Sequence, residues 1–148
     1  MILIILFPFL LVLTVTVHYG FLMRLKAILD TEWEQSIKLI AIICGLFFAH
    51  MVEVVIYAFV YYFAQLIPGV GELPGINYDN WVDFLYFSFV AYSSLGAGDL
   101  SSLGWIKIIY GLEAINGLVL ITWSASFSLL AMNRMHFCHP SSESSSME

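Results

Sequence analysis

Two kinds of residue grouping in this chain have the types and spacing to do chemistry. The first is Ser93-Ser94-Leu95-Gly96-Ala97-Gly98-Asp99, where two glycines one residue apart precede an aspartate. Glycine tolerates backbone angles that other residues resist, so such a segment can turn successive carbonyl oxygens toward a common axis. Carbonyls arranged in that way replace the water shell of a cation. The second grouping is a repeated spacing of ionisable and amide side chains. His50 and Glu53 lie three residues apart in one apolar run, and Glu113 and Asn116 repeat the interval in another. On a helix each pair shares a face, and at membrane depth such groups are costly and face protein or water. They have two readings, as hydrogen-bonded support behind the glycine segment or as proton sensors whose pKa is moved by burial and neighbours. The structural reading is preferred, because buried polar groups must be paired whatever else they do. A zinc site made of His50, Glu53 and Glu113 is disfavoured, since zinc prefers more His or Cys ligands. An enzyme is not expected, since no nucleophile is recognisable beside a base.

The elements that must position these residues follow from composition. Of 148 residues, 61% are hydrophobic and 11% charged, with a mean hydropathy of +0.91, whereas soluble domains carry roughly a quarter charged residues. The chain is therefore expected to be an all-α membrane protein embedded in a lipid bilayer. Its formal charge of −6 argues against a nucleic-acid partner. Three apolar stretches, over about 2–23, 37–67 and 105–132, reach the ~20 residues needed to cross a hydrocarbon core. The first, over 1–23, lacks a leading basic residue and a small-residue cleavage pattern, so it reads as a retained helix. Its Pro8 lies in the first turns, where proline costs least, and Thr14, Thr16 and His18 make its far end more polar. Residues 24–36 form a connection, and the Ser-rich segment 133–148 is expected to be a disordered tail. No soluble ligand domain is expected. Cys44 and Cys138 are too far apart in any spanning topology to suggest a disulfide.

Orientation follows from the cations. Arg24, Lys26 and Lys38 flank the first connection and Arg134 follows the third stretch, whereas the loop from Pro68 to Trp81 carries Glu72 and Asp79 and no Lys or Arg. The positive-inside rule places the connection and C-terminus in the cytoplasm and the N-terminus and residues 68–104 outside. Lys107 runs against the rule but can snorkel to the interface. In the outer loop, residues 68–75 are rich in Pro and Gly and turn-forming. Asn77, Asp79 or Asn80 can then cap a helix over about 80–92. At ~18–20 Å that helix is too short to cross the bilayer, so it is expected to dip in and return. Non-helical backbone at that depth must line protein or water, which places 93–99 along an aqueous path. The negative end of the helix dipole then favours a cation at its base. Tyr57, Tyr61, Tyr62, Phe63, Trp81 and Trp105 read as an interfacial aromatic belt.

The stretch from Phe87 through Ser88, Tyr92 and Ser93 to Leu100 resembles the pore helix and selectivity filter of potassium channels, whose usual filter reads Thr-x-Gly-Tyr-Gly-Asp. The resemblance extends from about Leu39 to Met132. Leu112-Glu113-Ala114-Ile115-Asn116-Gly117-Leu118, with Trp123-Ser124, looks like the inner helix of compact bacterial ion-channel proteins with an ion-transport pore domain. What this implies is a pore domain over 37–132, with outer helix 37–67, pore helix about 80–92, filter 93–99 and inner helix 105–132, preceded by an additional helix. It also implies a homotetramer in a bacterial plasma membrane, because one chain supplies one wall of a filter. By position, Ser94 takes the place of the filter threonine, Leu95 that of valine, Gly96 and Gly98 are kept, and Asp99 keeps the acidic position. Ala97 replaces the tyrosine whose ring braces the filter, so the expected permeant ions are K⁺ and, alongside it, Na⁺. No cofactor is expected, and no metal beyond these permeating monovalent cations. Gly117 reads either as a gating hinge or as a close-packing site against Gly45 or an alanine. The alternative to a channel is a non-conducting accessory or structural membrane protein that uses the same pore-like fold.

Overall fold

In the computed structural model, residues 2–71, 73, 76–77, 79–95 and 104–137 are described. They form four helices, α1 (Ile2–Ile28), α2 (Gln35–Ala64), α3 (Trp81–Tyr92) and α4 (Ile106–Phe137), and no strand among the described residues. Three of the helices are long and apolar enough to cross a membrane, and α3 is a shorter apolar helix. α1 continues to Ile28, so the chain turns within residues 29–34, a tighter connection than the 24–36 expected from the cations. α4 runs to Phe137, and residues 138–148 lie outside the described residues.

Each long helix is apolar at both ends of its buried face and polar in the middle. Towards one end, Leu10 of α1, Tyr57 and Tyr61 of α2, Phe84 and Phe87 of α3 and Ile106 and Ile109 of α4 form one buried cluster. Towards the other, Leu22 and Leu25 of α1, Ile42 and Leu46 of α2 and Ala131 of α4 form a second. Between them, in the chain order of every helix, lie the buried polar residues Thr14, His18, Glu53, Glu113, Asn116 and Ser124, with Ser88 of α3. The outward faces are apolar too, with Phe9, Ile40, Phe47, Phe48, Phe59, Leu118 and Leu130 exposed. That distribution suits lipid or further protein rather than water.

The start of α3 is fixed locally. Asn80 is the cap, its Oδ1 accepting from the Val82 N–H at 3.2 Å and its amide donating to Asp83 at 2.9 Å. Asp83 in turn accepts from the Asn77 N–H at 2.9 Å, and Asn77 accepts from the Asp79 N–H at 3.1 Å. A carboxylate in the first turn also complements the helix dipole. Opposite, Gly104 has φ +68°, and a Cβ there would meet the Val70 carbonyl at 2.8 Å. Only glycine lets the Trp105 N–H reach that same carbonyl, at 2.7 Å, and close the outer loop onto the head of α4.

Candidate functional site

α3 sits against both α2 and α4, and its end leads directly into the glycine-rich segment. Ser93 closes the helix, its hydroxyl donating back to the Phe89 carbonyl at 2.6 Å. Ser94 then has φ +56°, the left-handed conformation that usually falls to glycine at a helix C-terminus, and its N–H bonds the Ala91 carbonyl at 3.0 Å. A non-glycine residue held there costs conformational energy that surrounding structure must offset. The Ser94 hydroxyl donates to the Ala114 carbonyl of α4 at 3.3 Å, and Leu95 is 82% exposed. Gly96, Ala97, Gly98 and Asp99 lie outside the described residues.

Gly117 packs closely against the end of α3 and not against Gly45. A Cβ at Gly117 would collide with the Tyr92 carbonyl, so α4 meets the last turn of α3 backbone to backbone at this position. Gly45 faces Leu25 of α1 instead.

Behind this junction the polar residues separate into two groups. In one, the Glu113 carboxyl accepts from the Tyr61 hydroxyl, while the Ser88 hydroxyl lies 2.6 Å from Glu113 Oε1 and 2.8 Å from the Val54 carbonyl. Of the hydroxyls along α3 and at its end, Ser88 serves Glu113. Tyr92 belongs to the other group, and Ser93 bonds its own helix. Asn116 donates to Thr14 Oγ1 of α1 at 2.7 Å and to the Tyr57 hydroxyl at 3.0 Å.

The other group draws on all four helices. Glu53 and His50 face the end of α3 together, and His18 of α1 joins them, a residue that sequence reasoning had placed only in the polar end of the first helix. His18 Nδ1 donates to Glu53 Oε1 at 2.9 Å, the Tyr92 hydroxyl donates to Glu53 Oε2, and His50 Nδ1 lies 2.9 Å from the Tyr92 oxygen. On the far side, Ser124 Oγ of α4 lies 3.2 Å from His18 Nε2 and 3.0 Å from His50 Nε2. Trp123 packs on the His18 ring at a centroid distance of 5.5 Å. His18 and Glu53 are fully buried.

A serine beside an imidazole whose other nitrogen meets a carboxylate has the connectivity of a nucleophile, base and orienting acid, a neighbour relation not recognisable in the sequence. Ser124 is 6% exposed, and the large apolar pocket of about 620 Å³, lined by Leu6, Phe59, Phe63, Val70 and Trp105 among others, touches none of the three residues.

A family model described as Ion channel matches residues 49–132. Neither the curated proteins nor the solved structures contain a match. His18 and the rest of α1 precede the matched region, whereas His50, Glu53, Tyr92, Glu113 and Ser124 fall inside it.

Proposed function

This chain belongs to the ion-channel family, a family of two-transmembrane potassium-channel pore domains, and on that premise we propose that four copies surround an axis and conduct K⁺ together with Na⁺. In this reading α2 is the outer helix, α3 the re-entrant pore helix and α4 the inner helix, and Ser94 to Gly98 present backbone carbonyls to the ion. The observation that carries it is the junction at Ser94. A short helix capped by Asn80 and wedged between two spanning helices ends in a left-handed residue two positions before Gly96, and that residue is tied to Ala114 of α4. The exposed apolar side chains of α4, such as Ile115, Leu118 and Val119, supply surface for neighbouring copies and an inner vestibule. The cation distribution supports an N-terminus outside and a C-terminus in the cytoplasm of a bacterial plasma membrane.

Ala97 carries the selectivity reading. A filter without an aromatic brace is held less rigidly at the radius that suits K⁺, so discrimination against Na⁺ is weaker. The test is flux through purified protein in liposomes, with reversal potentials under K⁺/Na⁺ gradients. Gly96→Val is expected to abolish flux while assembly persists, and Ala97→Tyr to raise the K⁺/Na⁺ permeability ratio. Wild-type protein that assembles but passes no cation would instead identify the non-conducting accessory protein, and unchanged flux in Gly96→Val would remove the filter assignment.

A further inference from the structure

We propose that His18, His50 and Glu53 form a binding site for a divalent transition-metal ion of the zinc class, which joins α1 to the end of the pore helix. The metal-ligating atoms of these three residues all lie within 4.8 Å of one another. Two imidazoles and a carboxylate are a known zinc donor set. Tetrahedral zinc with bonds near 2.0–2.1 Å places its ligand atoms ~3.3 Å apart. Glu53 Oε1 stands 2.9 Å from His18 Nδ1 and Oε2 stands 3.2 Å from His50 Nδ1, each close to that spacing. The Tyr92 oxygen lies 2.9 Å from His50 Nδ1, beside the three ligands.

The hydrogen atoms of the cluster supply an independent argument. Five contacts close a ring through Glu53, His18, Ser124, His50 and Tyr92. Two neutral imidazoles, one phenol and one serine hydroxyl bring four protons, against a carboxylate that brings none. One contact is therefore left as two facing lone pairs, and with both imidazole protons on Nδ1 it falls where Ser124 Oγ has a single proton for two Nε2 atoms. A metal on the two Nδ1 atoms removes the shortage. Each neutral imidazole then carries its proton on Nε2, and both donate to Ser124 Oγ, which has two lone pairs to receive them. Metal-bound histidines almost always hold their second nitrogen in this way. Trp123 on the His18 ring and the burial of His18 and Glu53 shield the ion from lipid, while the His50 side chain, 14% exposed, marks the way in.

The competing way to supply the missing charge is one added proton, which would leave the cluster metal-free. Glu53→Gln separates the two. Its amide brings the fifth proton, so the ring closes and the fold is kept, but the anionic ligand is gone.

The experiment uses untagged full-length protein in detergent, prepared without chelators, equilibrated with Zn²⁺ or Co²⁺ and freed of excess. Stoichiometric zinc per subunit, visible absorption bands of tetrahedral Co²⁺, and at least ~10-fold weaker uptake in Glu53→Gln are expected. The His136→Ala/His139→Ala pair, which alters the remaining histidines and leaves the helix cluster intact, is expected to keep the bands. Absence of both zinc and Co²⁺ bands in the wild type overturns the proposal and assigns the cluster to a proton. Loss of the bands in the His136/His139 pair overturns it by moving the metal to the C-terminal end, and unchanged uptake in Glu53→Gln overturns it equally. None of these readouts involves ion flux, so the site and the channel reading stand or fall separately.

Discussion

Glu53 and Glu113 are both fully buried at the middle of spanning helices, yet their surroundings differ in kind. Glu113 meets two neutral hydroxyls, from Tyr61 and Ser88, and every partner belongs to the matched pore region. The Ser88 hydroxyl lies between Glu113 and the Val54 carbonyl, so the carboxyl, α3 and α2 share one contact. Glu53 meets two imidazoles and a phenol, and one of the imidazoles comes from α1, outside the matched region. The first carboxyl holds α3 against its own domain. The second fastens an added helix to the residue that immediately precedes Ser93, so the added helix acquires a mechanical line to the end of α3.

The largest expected effect comes from breaking the second group. Glu53→Leu leaves two imidazoles and the Tyr92 hydroxyl without their acceptor in a dry layer, and each buried group so orphaned costs about 1–3 kcal/mol. Loss of the assembled form on size-exclusion chromatography, together with loss of flux, is the outcome to look for. Retention of both would show that α1 is held by its apolar contacts alone.

Next in size is Glu113→Leu, which strands the Tyr61 hydroxyl but leaves Ser88 its bond to Val54. One orphaned neutral group costs about 1–3 kcal/mol, so the unfolding midpoint in detergent should fall less than for Glu53→Leu. Glu113→Gln sharpens the contrast, because its amide oxygen accepts from Tyr61 and its N–H donates to Ser88. It should therefore lie close to wild type in stability. A Glu113→Gln variant as damaged as Glu113→Leu would mean that negative charge, not hydrogen bonding, is what this position supplies.

How much of this was legible in the sequence depends on the range of the interactions involved. Hydropathy and length locate the three long helices, since each must satisfy its own backbone in lipid, and Asn80 is visible as a cap because its bond to Val82 is local. The three-residue spacings of His50 with Glu53 and of Glu113 with Asn116 are legible for the same reason. What joins them is not. His18 meets Glu53 across 35 residues, Tyr92 meets Glu53 across 39 and Ser124 meets His18 across 106. No periodicity within one helix shows which face of α1 turns toward α2, so His18 looked like a polar helix end and Ser124 like part of an inner helix. The Asn116 bond to Thr14 spans 102 residues and was equally hidden.

That bond gives a third, smaller test of how α1 is held. Thr14→Val keeps the shape of the side chain and removes the oxygen that accepts from Asn116, while Asn116 keeps the Tyr57 hydroxyl. Hydrogen bonds between membrane helices contribute about 0.6 kcal/mol on average, so a small drop in unfolding midpoint with normal assembly is expected. A drop as large as that of Glu53→Leu would move the main attachment of α1 from His18 to Thr14.

The smallest effect is expected at the surface, and it completes the contrast between buried and exposed links. Arg134 of α4 reaches Asp30, just past the end of α1, at 2.7 Å, but the two side chains remain 49% and 62% exposed. By distance alone this ion pair matches the buried bond from Asn116 to Thr14. Solvent screening and the entropy of two mobile side chains nonetheless reduce such pairs to about 0–1 kcal/mol. Arg134→Ala should therefore leave the unfolding midpoint within about 1 kcal/mol of wild type, with any difference shrinking as salt is raised. Measuring Arg134→Ala and Thr14→Val in one series at low and high salt separates the two kinds of link. Only the exposed pair should respond to salt, and a salt-sensitive Thr14→Val difference would contradict the dry, buried layer that holds α1 in place.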